Sequence, residues 1–198
     1  MLTHLAHLFR PKASASLILL GLLVNVLSQT TGAAAQKGPN VSANDCTGVV
    51  VATTWPANFT ARAESVGPCG RATLILSISN LSGQIVWDDT GASDQYFGFD
   101  DVTSVDLMYE ALNLWVGDYA SVSTTGTLPD WIAGEEYPLS SEFPFYVDEG
   151  VSREDYLQVR AADHPMICYV QGRESMRCLH PAANGYVLET VGVQSFPG

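Results

Sequence analysis

The chain has 198 residues with 9 Lys+Arg and 21 Asp+Glu, which gives a formal net charge of −12 at pH 7. Nucleic-acid binding depends on basic side chains that neutralise phosphates, so this charge excludes nucleic acid as an expected partner. Anionic membrane surfaces are disfavoured for the same reason, and a cationic partner, or none, fits better. Colloidal solubility is the alternative explanation of the acidity.

The first part of the chain, residues 1–35, predicts a cleavable secretory signal peptide. An apolar segment of 15 residues, 13–27, follows a basic start, and small residues supply a cleavage site between Ala35 and Gln36. The segment is shorter than the roughly 20 residues that span a bilayer, so an uncleaved anchor is less favoured. Cleavage removes two basic residues and no acid, leaving 7 basic and 21 acidic residues and a charge of −14. We therefore expect a periplasmic or extracellular protein without stable membrane insertion.

The remainder divides into a flexible polar lead-in, residues 36–45, and one globular domain, residues 46–198, which is long enough for a hydrophobic core. Both the even number of cysteines and the predicted export favour disulfides over metal ligation. No close C-x2-C pair of the kind typical of zinc sites is present, so neither a metal nor a cofactor is expected. The cysteines are Cys46, Cys69, Cys168 and Cys178.

The first half of the domain predicts four strands and a helix. Val-rich residues 47–54 and the segment 58–63 are typical of strands. Alternating apolar residues over 72–79, followed by a turn and residues 84–88, predict a hairpin. Apolar residues recur at helical spacing up to residue 116 behind a capping hydroxyl, so we predict a helix over 104–116.

The second half predicts a small strand at 121–126, an edge strand at 143–148 and a short helix at 152–162 that begins with a capping-box pattern. A cysteine hairpin and a last strand at 186–194 follow. These elements predict an α+β fold with a mainly antiparallel sheet, one long and one short helix, and a disulfide-braced C-terminal hairpin.

The cysteine hairpin has a predictable register. Two short strands flank a turn centred on Arg173, and Cys168 and Cys178 are equidistant from that centre. Directly opposed side chains in an antiparallel pair lie within disulfide range. We therefore predict a Cys168–Cys178 disulfide, which leaves Cys46 to pair with Cys69.

No catalytic residue can be assigned from the sequence. It contains no G-x-S-x-G, H-E-x-x-H or P-loop motif, and His164 and His180 are interpreted as turn-flanking surface residues. A calcium site or a glycosidase carboxylate pair would draw on aspartates near residues 88–101, although turn formation is the simpler explanation. These aspartates are Asp88, Asp89, Asp94, Asp100 and Asp101.

Candidate partner contacts come from the tip of the cysteine hairpin and from an aromatic run on the aspartate-rich loop. A braced loop presents contacts at low entropic cost. The leading hypothesis is a non-enzymatic binding or inhibitor-type protein with a cationic exported partner. An Asp/Glu-dependent hydrolase or carbohydrate-active enzyme and a structural envelope component are the alternatives. The candidate contacts are Arg173, Glu174, Arg177, Tyr96, Phe97 and Phe99.

Overall fold

The computed structural model describes residues 44–139 and 142–196. The predicted signal peptide, its cleavage site between Ala35 and Gln36, and most of the lead-in lie outside these residues. Within them the chain forms nine strands and two α-helices, arranged in two antiparallel sheets. The predicted α+β class is confirmed.

The first sheet is a four-stranded meander in the order β1-β2-β3-β4. Its strands alternate between buried and exposed residues, and on β3 the side chains of Leu74, Leu76 and Ile78 are fully buried. A half-buried sheet produces this period of two. The strands are β1 (Val49–Trp55), β2 (Phe59–Val66), β3 (Thr73–Ser79) and β4 (Ile85–Ala92).

Helix α1 (Val105–Val116) packs against β1 and β2 and covers the buried face of the first sheet. It begins where Ser104 Oγ accepts a hydrogen bond of 3.3 Å from the backbone N–H of Leu107, the N-cap interaction expected of a serine. The indole N–H of Trp115 donates to the carbonyl of Val170 at 2.7 Å. The helix therefore contacts the second sheet as well as the first.

The second sheet has five strands in the order β5-β7-β8-β9-β6. Helix α2 (Arg153–Ala162) precedes β7 and is capped by Ser152, whose Oγ accepts from the Asp155 N–H at 3.1 Å. The helices have 12 and 10 residues. The strands are β5 (Ser121–Thr124), β6 (Phe145–Val147), β7 (Pro165–Val170), β8 (Ser175–Pro181) and β9 (Leu188–Ser195).

Two details differ from the sequence-based expectation. The strands divide between two sheets because β5 pairs with β7, with Ser121 opposite Cys168, and starts a new sheet after α1. Strand β4 also continues to Ala92, so Asp88 and Asp89 belong to a strand, whereas the sequence placed a loop from residue 89. Polar residues did not end β4 because its ladder with β3 continues through them.

Both predicted disulfides are present, Cys46–Cys69 and Cys168–Cys178. Cys168 lies directly opposite Cys178 in the register of β7 and β8, with their Cα atoms 4.0 Å apart. The predicted register of the cysteine hairpin is therefore confirmed.

Candidate functional site

The acidic loop (residues 93–101) and the hairpin tip (residues 171–175) are in direct contact. The Arg173 guanidinium donates to the backbone carbonyl of Asp94 from Nε at 3.1 Å and from Nη2 at 2.7 Å. Its Nη2 also lies 2.6 Å from Oδ1 of Asp100. Two segments far apart in sequence therefore form one surface, and the charge of Arg173 is compensated inside the molecule.

The hairpin tip makes two further backbone contacts with its surroundings. The Phe97 N–H donates to the carbonyl of Gly172 at 3.2 Å, and the Phe196 N–H donates to the carbonyl of Glu174 at 3.0 Å. The side chain of Glu174 is exposed. The hairpin tip thus positions the backbone of the acidic loop and of the segment that follows β9.

Arg177, the second basic residue predicted as a contact, is engaged within the chain. Its Cζ lies 5.6 Å from the centre of the Trp87 ring, a cation–π distance, and its Nε donates to Oε1 of Gln171 at 2.8 Å. The side chain is half-buried. Both arginines of the hairpin therefore brace the fold.

The three aromatic candidates are placed differently from one another. Tyr96 and Phe99 are buried, with exposures of 4% and 1%, and pack edge-on against Trp115 at ring-centre distances of 5.3 and 5.8 Å. Phe97 is half-buried and reaches the surface. Sequence reasoning recognised the aromatic run but missed its division between core and surface, because the partner Trp115 is on a separate element.

Phe97 forms an aromatic pocket with Asp118, Tyr119 and Phe196, and Met176 also lines it. The Phe97 ring lies 5.3 Å from the Tyr119 ring with planes at 60°, and 5.6 Å from the Phe196 ring with planes at 86°. The pocket has a volume of about 250 Å³ and opens to solvent beside the hairpin tip. Asp118 supplies an exposed carboxylate.

The part of the chain that supplies Phe97, Asp118 and Tyr119 to the pocket is strongly acidic. Residues 72–152 contain 14 Asp and Glu and no Lys or Arg. Six of these carboxylates define the acidic surface, formed by the acidic loop, α1 and the residues that adjoin them. All six residues are exposed: Asp94, Asp100, Asp101, Asp106, Glu110 and Asp118.

A partly buried polar network lies between the two sheets. Asp89 is opposite the buried Leu76 in the register of β3 and β4, so it belongs to the inner face. The Tyr169 hydroxyl donates to Asp89 Oδ2 at 2.7 Å and accepts from the Trp87 indole N–H at 3.1 Å. Burial, reinforced by Asp89, raises the pKa of Tyr169 and raises the pKa of Tyr96 to about 12. Both phenols therefore remain protonated donors at physiological pH.

The aspartates considered for calcium binding or hydrolysis are dispersed. Five surface cavities of about 170 to 460 Å³ lie among the described residues, and none of these five is lined by more than one of those aspartates. Asp88 is exposed, and neighbouring Asp89 belongs to the inner face. Asp101 lines a shallow groove with Glu110 of α1.

His164 and His180 line one cavity of about 280 Å³ together with Glu189. His180 is only 6% exposed, so the expectation of a surface position was wrong for this residue: β8 extends through it to Pro181. His180 Nδ1 lies 2.9 Å from the Pro181 carbonyl, which only accepts, so Nδ1 carries the proton. Burial lowers the pKa of His180. The described residues contain no group of three or more His, Cys, Asp or Glu side chains placed to hold a metal ion.

Comparison with known proteins identifies no relative. No protein-family model matches this chain, and no match is found among curated proteins or solved structures. Across the two described ranges, every helix is too short or too polar to cross a membrane.

Proposed function

We propose that this protein is an exported, non-enzymatic binding module of the inhibitor type that recognises a cationic exported protein. The observation that carries the proposal is the bracing of the acidic loop by Arg173, which bonds to Asp94 and Asp100. This arginine is already paired within the chain. The surface around it therefore offers an excess of negative charge to a partner.

Preorganisation supports the same function. The hairpin tip is closed by the Cys168–Cys178 disulfide and holds the acidic loop through the Phe97–Gly172 backbone bond. A surface that is ordered before binding loses less conformational entropy on association. Complementary charge then accelerates encounter and selects against anionic competitors.

Export is supported by the two disulfides, since such bonds form and persist in oxidising compartments. The predicted mature chain has 7 basic and 21 acidic residues, so its partner would be sought among basic proteins of the periplasm or culture fluid. A basic cell-wall hydrolase has the required charge and location. Inhibition of its hydrolysis would separate an inhibitor from a simple binder.

The test uses residues 36–198, immobilised and exposed to exported proteins at low and at physiological ionic strength. Each retained protein is identified, purified and returned as a soluble partner for kinetic binding measurements. We expect a basic protein whose association rate falls steeply with salt. Failure to retain any basic protein at physiological ionic strength would count against the proposal.

Two triple variants with the same change in net charge locate the contact. The first variant is Asp101→Asn, Asp106→Asn and Glu110→Gln on the acidic surface. We expect it to weaken binding about tenfold, because each lost charge is worth up to about 1 kcal/mol at an exposed contact.

The matched control neutralises three exposed carboxylates outside the acidic surface, with Glu135→Gln, Glu149→Gln and Glu154→Gln. We expect its binding to stay within about twofold of the unmodified chain, since each removed charge lies outside the proposed contact. Equal weakening by both triple variants would show that total charge, and not this surface, governs binding.

A further inference from the structure

We propose that the aromatic pocket binds an arginine side chain of the partner protein. The inference rests on the proposed function and names the anchor for that same surface. In this arrangement the rings of Phe97, Tyr119 and Phe196 contact the planar faces of the guanidinium group. The carboxylate of Asp118 accepts hydrogen bonds from its N–H groups.

The rings supply surfaces that attract a cation. Phe97 contacts both Tyr119 and Phe196, and its plane is inclined to theirs by 60° and 86°. The three rings therefore line the pocket in different orientations. A cation over an aromatic face is attracted by the ring quadrupole, and the attraction is stronger where water is displaced.

The carboxylate of Asp118 gives the pocket a negative charge. It is exposed and lines the same pocket as the three rings. It is also one of the 14 acids in residues 72–152, a segment without Lys or Arg. An anionic or neutral apolar ligand would gain nothing from this charge, whereas a cation gains from both the rings and the carboxylate.

Arginine fits this combination better than lysine. Its guanidinium is planar, stacks on aromatic faces and is more weakly hydrated than an ammonium group, so it enters an apolar pocket at lower cost. Its fork of N–H donors also matches a carboxylate. The methylene groups of the side chain would lie against Val170 and Met176, which also line the pocket.

The pocket is held open by the hairpin tip. The backbone N–H of Phe97 is bonded to Gly172, and the backbone N–H of Phe196 is bonded to Glu174. Two of its three rings are therefore attached to the same disulfide-closed turn. A site positioned by rigid support binds with a smaller ordering cost than one on free loops.

The experiment titrates the ¹⁵N-labelled protein, residues 36–198, with N-acetyl-arginine N-methylamide and follows backbone amide shifts by NMR. The lysine and citrulline analogues serve as probes with a different cation and with no charge. We expect weak binding, on the order of millimolar, with shifts concentrated at Phe97, Tyr119 and Phe196. The citrulline analogue should bind about fivefold or more weakly, and lysine should fall between the two.

Asp118→Asn should weaken arginine binding about threefold to fivefold, and the control Glu149→Gln, an equal charge change outside the acidic surface, should leave it unaltered. Both side chains are exposed, so neither variant disturbs the core. Shifts that lie elsewhere, equal binding of citrulline, or equal loss in both variants would overturn the inference.

The outcome separates this inference from the proposed function. A cationic partner that is retained equally by the unmodified chain and by Asp118→Asn would leave the binding function standing and remove the arginine pocket. If the arginine probe binds at the pocket but no basic exported protein is retained, the arginine pocket stands and the proposed function does not.

Discussion

Tyr169 of β7 donates a 2.7 Å hydrogen bond to the carboxylate of Asp89 on β4, and this bond connects the two sheets. The two residues are 80 positions apart in sequence. The Tyr169 hydroxyl also accepts a hydrogen bond of 3.1 Å from the indole N–H of Trp87. A half-buried carboxylate on the inner face of a sheet loses part of its hydration, and the bond from Tyr169 offsets part of that loss.

Tyr169→Phe should lower the free energy of unfolding by about 1 to 3 kcal/mol, because it leaves the Asp89 carboxylate without its buried donor. Urea denaturation measures the change. Tyr146→Phe is the matched control, since Tyr146 is exposed and should change stability by less than about 0.5 kcal/mol. Equal effects of the two substitutions would mean that the hydroxyl of Tyr169 does not stabilise the interface.

Stability should fall at alkaline pH. Burial raises the pKa of Tyr96 to about 12 and raises the pKa of Tyr169 as well, against about 10 for a tyrosine in an unfolded chain. The folded state therefore holds protons that the unfolded state releases, so stability is complete below about pH 10 and is lost above it. This loss is tested by measuring the free energy of unfolding at pH 8 and at pH 11. The absorbance of tyrosinate serves as a second probe. Tyr169→Phe should reduce the alkaline loss.

Acid should destabilise the protein through His180. Burial lowers its pKa below the usual 6.5, with His164 acting in the same direction and Glu189 in the opposite one. The unfolded chain then binds a proton that the folded chain excludes, so this contribution is complete above about pH 6.5 and is lost as pH falls through the folded pKa. An NMR titration of the imidazole gives that pKa. His180→Gln should show a smaller loss of stability between pH 7.5 and pH 5 than the unmodified chain; an unchanged loss would contradict the assignment.

Gly192 of β9 should not tolerate a side chain. A Cβ there would meet the carbonyl oxygen of Tyr146 and would lie 2.6 Å from two atoms of the Phe145 ring, so the edge strand β6 would have to move. We expect Gly192→Ala to lower stability by about 1 to 3 kcal/mol. Gly70→Ala is the control, because the nearest atom to its Cβ would be the Val102 carbonyl oxygen at 3.9 Å. Thermal unfolding should place this variant within about 0.5 kcal/mol of the unmodified chain.

Much of the local structure could be predicted because it depends on short-range patterns. The Cys168–Cys178 register follows from counting residues on either side of a turn, and the start of α1 follows from a capping serine, Ser104. Strand alternation likewise identified the buried face of β3. In each case the deciding interaction lies within about ten residues of chain.

The candidate site was less accessible to sequence reasoning because its contacts are long-range. Arg173 bonds to Asp94, which is 79 residues away in sequence. No sequence pattern in either segment indicates that the two are in contact. Asp89 looked like a loop residue, yet the ladder of β4 with β3 places it on the inner face. The burial of Tyr96 depends on Trp115, which belongs to α1. Composition established an acidic protein, but only the assembled fold places Asp118 in the lining of the aromatic pocket.

The way Arg173 binds the acidic loop has a consequence for how this protein can change over time. Two of its hydrogen bonds reach the main-chain oxygen of Asp94, an atom that every amino acid possesses. The exposed side chains of Asp94 and Gln95 can therefore be replaced by mutation while this bond to the main chain is kept. A surface segment that is fixed through its main chain can change its exposed side chains, and with them its surface chemistry, without a new fold.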